Sequence, residues 1–503
     1  MRKLLLTIAV LVLPVSFAAC GDNDEAASGA SELVPAGSVM YAEANLAPEG
    51  DQKQAIDSIL SKFPGGGEAG DKLKDLIEKG LRESDAPISF KKDIEPWLGD
   101  EAAFFVGGIG QSGNAKASAA LVATTDEDKA RDTLEKSAEG KLTKHDYKDV
   151  EYLTDDSDQA GAVFDGFLVL GTEDGVKAAI DTSKDGRKLS DDENYKKAIK
   201  DAASDRLGFF YVNSPELVNA MREVGTPLPE SFRKFLKEPV AATVDADDDG
   251  VVFEADVPAE LAQSVAFLGQ ASDVLGDLPA DSWLAVGQKD FGKLLDFYAN
   301  AFAGVAGGRD AIEGQFKAAT GLDLQQDVLS WMGDFGIFVR GTSLTSLDGA
   351  FVVQTSDEAA SARFLSAVER LARTQMDSGT DIERRSGGFT VRIANVPKPI
   401  HAFVQAGKVV FAYGDAAAKD AVSAADRLGD SPDFTAARDS LGDYDVSSYV
   451  LVKPILDLVD STAAGDDADW QDAKPYIEPL NALVAGTSGR GDDLKTAFKL
   501  VVK

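Results

Sequence analysis

The chain is written twice, and that property limits its fold more than any other. Val34-Pro35-Ala36-Gly37-Ser38 opens one copy, and Leu278-Pro279-Ala280-Asp281-Ser282 opens the other. The stretch from Asp93 to Gly108 (DIEPWLGDEAAFFVGG) is answered by Asp327 to Gly341 (DVLSWMGDFGIFVRG), so Trp97, Gly99 and Asp100 match Trp331, Gly333 and Asp334. LVATTDE (Leu121 to Glu127) pairs with VVQTSDE (Val352 to Glu358), and GFLVLGTED (Gly166 to Asp174) with GKVVFAYGD (Gly407 to Asp415). Tyr195 falls opposite Phe434, FFYV (Phe209 to Val212) opposite SYVL (Ser448 to Leu451), and the closing DDGVVFEADV opposite DDLKTAFKLVV. Self-similarity over this length predicts two repeats of one domain, at residues 33–258 and 278–503. Residues 259–277 would join them as a helical linker, with Leu261, Val265, Leu268 and Leu275 near one face.

Each copy alternates hairpin-like strands with helix-period segments such as QKQAIDSILSKF and FGKLLDFYANAF. Helices are expected from Asp126 to about Glu139 and from Asp357 to about Ala372, with acidic residues at their positive ends. Strands joined by tight turns imply antiparallel pairing. The expected fold class is therefore α+β, each repeat an antiparallel sheet with helices packed on one face.

The amino-terminal residues supply an address. Arg2 and Lys3 precede an apolar run, Leu4 to Phe17, that ends in Ala18, Ala19 and Cys20. The run is short for a bilayer-spanning helix, is broken by Pro14, and reads as a signal peptide over residues 1–19. FAAC resembles the bacterial lipobox, and Cys20 is the single cysteine of the chain, so disulfide use is not its role. Lipidation of Cys20 with fatty acyl chains such as palmitate would anchor the protein to the cell membrane on its extracytoplasmic side. Residues 20–32, rich in Gly, Ser, Ala, Asp and Glu, are expected to form a flexible tether.

The paired V-P-A and L-P-A openings, with the W-L-G-D and W-M-G-D motifs, resemble a bacterial family known only as domain of unknown function thirty-three fifty-two. The likeness covers essentially the whole chain after the signal. It implies export, often with lipidation, and assigns no activity. The tryptophan motif reads as structural: each indole would plug the core at a helix-to-strand corner, its glycine permitting a turn and its aspartate bonding nearby amides.

Little in the sequence points to chemistry. With 51 Lys and Arg against 85 Asp and Glu, the net charge of −34 repels phosphate backbones and excludes nucleic acid as a natural partner. The two histidines, His145 and His401, occupy different places in the repeat. No G-x-S-x-G elbow, phosphate-binding loop or H-E-x-x-H is present. Asp245, Asp247, Asp249 and Asp256 follow calcium-loop spacing with Gly250 at the sixth place, which makes Ca2+ the one cofactor to consider. The flanks of that segment, however, read as strands around an ordinary hairpin turn. The expectation is a non-enzymatic binding or scaffolding protein of the cell envelope, its partner an envelope protein or a small molecule. Rival readings are a carboxylate-dependent envelope hydrolase, or a chaperone or carrier for lipid or protein.

Overall fold

The computed structural model describes residues 29–65, 74, 77–82, 87–110, 114–137, 141–156, 159–200, 202–203, 205–225, 228, 230–233, 236–257, 269–303, 307–376, 379–489 and 494–503. The expected signal (1–19) and Cys20 lie outside them. The chain divides into two compact units, one of Met1–Leu228 with Arg233–Pro258, the other of Pro229–Phe232 with Ala259–Lys503.

The first unit contains β1 (Met40–Asn45), β2 (Leu98–Ile109), β3 (Ala115–Thr124), β4 (Thr143–Tyr147), β5 (Val150–Thr154), β6 (Gln159–Phe164), β7 (Phe167–Thr172), β8 (Gly208–Val212), β9 (Val240–Asp247) and β10 (Gly250–Asp256). Their order across the sheet is β4-β5-β6-β7-β3-β2-β1-β8-β9-β10, every pair antiparallel. Tight turns set the hairpins. Lys148 and Asp149 between β4 and β5, and Asp165 and Gly166 between β6 and β7, all have positive φ, the conformation that matches the twist of paired strands.

The second unit contains β11 (Leu284–Gln288), β12 (Met332–Arg340), β13 (Asp348–Thr355), β14 (Thr380–Arg385), β15 (Gly388–Ile393), β16 (Ile400–Gln405), β17 (Lys408–Tyr413), β18 (Asp445–Leu451), β19 (Leu480–Ser488) and β20 (Lys495–Val502). Its order is β14-β15-β16-β17-β13-β12-β11-β18-β19-β20, again antiparallel throughout. Asp126 and Asp357 are N-caps: their carboxylates accept from the amides of Lys129 (3.1 Å) and Ala360 (2.9 Å), and the helices run Glu127–Lys136 and Glu358–Gln375.

The fold class is α+β, but helices cover both faces of each sheet, not one. In the first unit Tyr41, Phe105, Leu121 and Val169 pack against Val176, Ala179, Ile180, Leu189 and Tyr195. The opposite face, with Ala102, Val122, Leu168 and Leu170, packs against Phe90, Ile94, Trp97, Ala130 and Leu134. The second unit likewise has two cores, one around Phe338, Val410 and Phe434, the other around Trp331, Phe335 and Leu365. The physical reason is visible in β7, buried at five successive positions from Phe167 to Gly171. A strand covered on both sides is a continuous apolar run, without the alternation of a half-solvated sheet.

Two boundaries also move. The expected tether reached Glu32, yet Ala30–Glu32 is a 3-10 turn and Ala30 is wholly buried, so the body begins at least this early. Residues 20–28 lie outside the described residues, as do 259–268 of the expected linker helix. The described end of that linker is a single helical turn, Val274–Asp277, and Val274 and Leu275 are core residues of the second unit.

Candidate functional site

The register between β1 and β2 sets Glu43 opposite Ala103 and Asn45 opposite Glu101. Successive residues alternate faces, so Glu43 and Glu101 are diagonal neighbours on the face that carries Tyr41 and Phe105. Two carboxyls thus sit at the end of a buried apolar surface. Glu43 is compensated: it forms an ion pair with Arg206 and accepts from the Tyr41 hydroxyl at 2.7 Å. The carboxyl of Glu101 instead accepts from the backbone N–H of Ala30, at 3.0 and 3.1 Å to its two oxygens.

One guanidinium therefore serves two carboxyls, and it is committed to Glu43. Burial, then the charge of Glu43, pushes Glu101 up to about 7, against the lowering effect of the Ala30 N–H. The Tyr41 and Tyr195 hydroxyls are pushed up by burial and by the same Glu43 charge. Tyr195 stands edge-on to Tyr41, Phe209 and Tyr211, with ring centroids 5.8, 5.9 and 5.4 Å away. The arrangement can hold one proton near neutrality, directly beneath the first described residues of the chain.

Those residues are laced to the unit. Glu32 pairs with Lys188 at 3.0 Å, the Leu189 N–H donates to the Val34 carbonyl at 2.7 Å, and the Ala36 N–H donates to the Arg187 carbonyl at 3.0 Å. In the second unit Asp334 has a comparable task, accepting from the Ser272 hydroxyl at 2.6 Å and the Asp290 N–H at 3.2 Å. In the sheet register the partner of Asp334 is Glu101, not the Asp100 that sequence matching aligned with it. From Leu98 to Ala102 four steps along β2 answer two along β3, whereas from Met332 to Phe335 three steps along β12 answer two along β13. The extra bulged residue in β2 shifts the acid by one place. Asp100 is exposed, and its carbonyl accepts from the Leu46 N–H at 2.7 Å.

Trp97 and Trp331 are 1% and 2% exposed. The Trp97 indole N–H donates to the Asp93 carbonyl and to the Thr133 hydroxyl (2.9 Å), and that of Trp331 to the Asp327 carbonyl (2.9 Å). Gly99 does not provide a turn: a Cβ there would meet the backbone of Ala123 at 2.8 Å, so its role is close approach of strands. At Gly333 the nearest atom is the Gln354 carbonyl oxygen at 3.3 Å.

Residues 4–453 match the model of the family described as Protein of unknown function (DUF3352). The chain belongs to this family. No curated protein matches this DUF3352 chain by sequence. The solved structure of TP0453 in its crystal form IV is similar at 9% identity with a TM-score of 0.24, over 46% of this chain and 83% of that one, a score too low to carry an architecture across.

The other residues that the sequence singled out do not converge in this DUF3352 protein. β9 and β10 form a hairpin whose turn is held by the Asp247 carboxylate accepting from the Asp249 N–H at 3.0 Å. Asp256 lies at the far end of β10, beyond the pair Ala255 and Ala242. At about 3.3 Å per residue that places it on the order of 20 Å from Asp247, so strand pairing pulls the twelfth calcium position away from the turn. Burial pushes the Asp245 carboxyl up. Among the described residues no three His, Cys, Asp or Glu side chains are grouped to hold a metal ion.

The histidines are each occupied. His145 stacks on Tyr152 at 4.8 Å, and its Nε2 lies 2.9 Å from the Thr154 hydroxyl. His401 is 4% exposed, with Nδ1 at 3.0 Å from both Arg385 and the Thr390 hydroxyl and Nε2 at 2.9 Å from Asp415. A guanidinium can only donate, so Nδ1 is the acceptor; burial and the Arg385 charge hold His401 below its ordinary value.

Glu43, Glu101 and Arg206 were missed by sequence reading. The available signal was a glutamate at a core-face position of the strand MYAEAN, and another directly before AAFFV.

Proposed function

We propose that this DUF3352 protein is an exported lipoprotein, held to the extracytoplasmic side of the cell membrane through Cys20, and that its body is a tandem duplication serving as a non-enzymatic binding or scaffolding module of the envelope. The observation that carries the reading is the basic pair, apolar run and Ala-Ala-Cys junction at the single cysteine of the chain. The duplication is supported by the same strand order in each unit and by paired details. Tyr195 stands edge-on to Tyr211 as Phe434 does to Tyr449, at 5.4 and 5.3 Å. A binding role is supported by the engagement of the titratable groups described above: Glu43 by Arg206 and Tyr41, and His401 by Arg385 and Thr390. Among the described residues no helix is long and apolar enough to cross a membrane, so in this reading the attachment is the lipid.

Feeding cells an alkyne-tagged palmitate analogue and isolating the protein tests this. Label and a mature terminus at Cys20 are expected in the native chain, with both lost in Cys20→Ser. A native protein that carries no acyl mass would remove the anchor and the localisation together.

A further inference from the structure

Gly29–Glu32 is a short strap laid over a buried carboxyl of the first unit, that of Glu101. Beneath it Glu101 and Glu43 share one face, with Arg206 paired to Glu43 and only the Ala30 N–H offered to Glu101. The groups facing Glu101 are Glu43 and the Tyr41 hydroxyl from β1, Asp100 from its own strand, Arg206 from the segment before β8, and the Tyr195 hydroxyl from the helix Glu193–Ile199. Two of the five are carboxyls, two are phenols kept neutral by burial, and one is a cation already paired with Glu43; the sum disfavours another negative charge there.

What holds the strap is modest. Ala30 contributes one buried methyl, Ser31 a side-chain hydrogen bond with Tyr195, and Glu32 its half-exposed pair with Lys188. From Leu33 onward the attachment changes in kind, since Leu33 and Val34 are 3% and 0% exposed and Val34 is tied to Leu189. The natural hinge is Leu33.

We propose that Gly29–Glu32 is an ionisation-gated strap, closed over Glu101 while that carboxyl keeps its proton and lifting to let water reach it when the proton leaves. The sign follows from linkage. The closed strap binds the proton more tightly, with Glu101 near 7, whereas a hydrated carboxyl beside Glu43 releases it at a lower pH. Opening is therefore rarest in acid, grows as pH rises between those two values, and levels off above the upper one. Where the chain is anchored through Cys20, an open strap adds four residues, about 14 Å of contour, between lipid and body. That consequence rests on the lipoprotein reading, while the strap itself does not.

Hydrogen exchange of the full chain, corrected for the intrinsic pH dependence of exchange and followed from about pH 4.5 to about pH 8, tests the device. In the peptide covering residues 29–33, protection is expected to fall by up to about tenfold per pH unit and to plateau near neutrality. Glu101→Gln, which cannot ionise, should stay protected across the range, and Glu43→Gln should bring the plateau to lower pH. Amides of β2 and β3 report in the same runs that the variants are folded. Flat protection in the unmodified chain, a fall in the opposite direction, or a Glu101→Gln profile equal to the unmodified one would each overturn the strap. None of these outcomes bears on whether Cys20 carries lipid, which the palmitate label decides separately.

Discussion

A buried carboxyl gives the first unit a distinct pH dependence. Glu101 lies near 7 in the folded chain against 4.5 for an unperturbed side chain, because burial and the charge of Glu43 outweigh the Ala30 N–H. In the unfolded chain the proton leaves at the lower value, in the folded chain at the higher. Below both, the two states are equally protonated and the group contributes nothing to pH dependence; between them the folded state retains a proton that the unfolded state has lost. Stability must then decline as pH rises through that window, by at most about 1.4 kcal/mol per pH unit, and be level again above it. Urea midpoints measured across the window should show this decline, and Glu101→Gln should remove it. A decline that persists unchanged in Glu101→Gln would assign it to another group, of which Asp245, also raised by burial, is the first to examine.

Between strands, the decisive quantity is distance between backbones. Gly99 sits where β2 bulges against β3, and a methyl group there would lie 2.8 Å from the Ala123 backbone. Backbone yields less readily than a side chain, so Gly99→Ala is expected to cost about 1–3 kcal/mol, read as a lowered denaturation midpoint. Gly333→Ala, with 3.3 Å of clearance to the Gln354 carbonyl oxygen, should cost distinctly less. Equal costs would mean that both glycines act through the unfolded chain. The elements that sequence made legible were those with strong local signals. The helix Phe291–Phe302 spans the segment expected from its period, and Asp126 and Asp357 mark their helix starts by bonding the third amide onward. The edge strands β4 and β14 were not legible, because TKHDY and TDIERR carry the charges that keep a sheet edge from pairing and so lack an apolar face. Helices on both faces were legible only in retrospect, from runs such as FLVLG. The Glu43 and Glu101 pair was hidden for a different reason: it depends on the register between β1 and β2, and register is a property of two strands together.

At the scale of the whole molecule, charge and the proposed anchor make opposite demands on a membrane. A chain with 85 acidic and 51 basic residues is repelled by an anionic leaflet, and repulsion weakens as salt shortens the screening length. Attachment by two or three acyl chains is instead a hydrophobic term of about 0.8 kcal/mol per buried methylene, which salt does not weaken. The two sources of membrane association are therefore separable by a wash. If the chain is held by its lipid, molar salt and high pH should leave it in the membrane fraction, detergent should release it, and Cys20→Ser should already be free at low salt. If association came from basic patches or a protein receptor bound through charge, salt alone would release it. With a net charge of −34, peripheral electrostatic binding to lipid is the outcome that the composition opposes most strongly. Retention that is lost in molar salt would point to a charged protein partner and remove the lipid as the anchor.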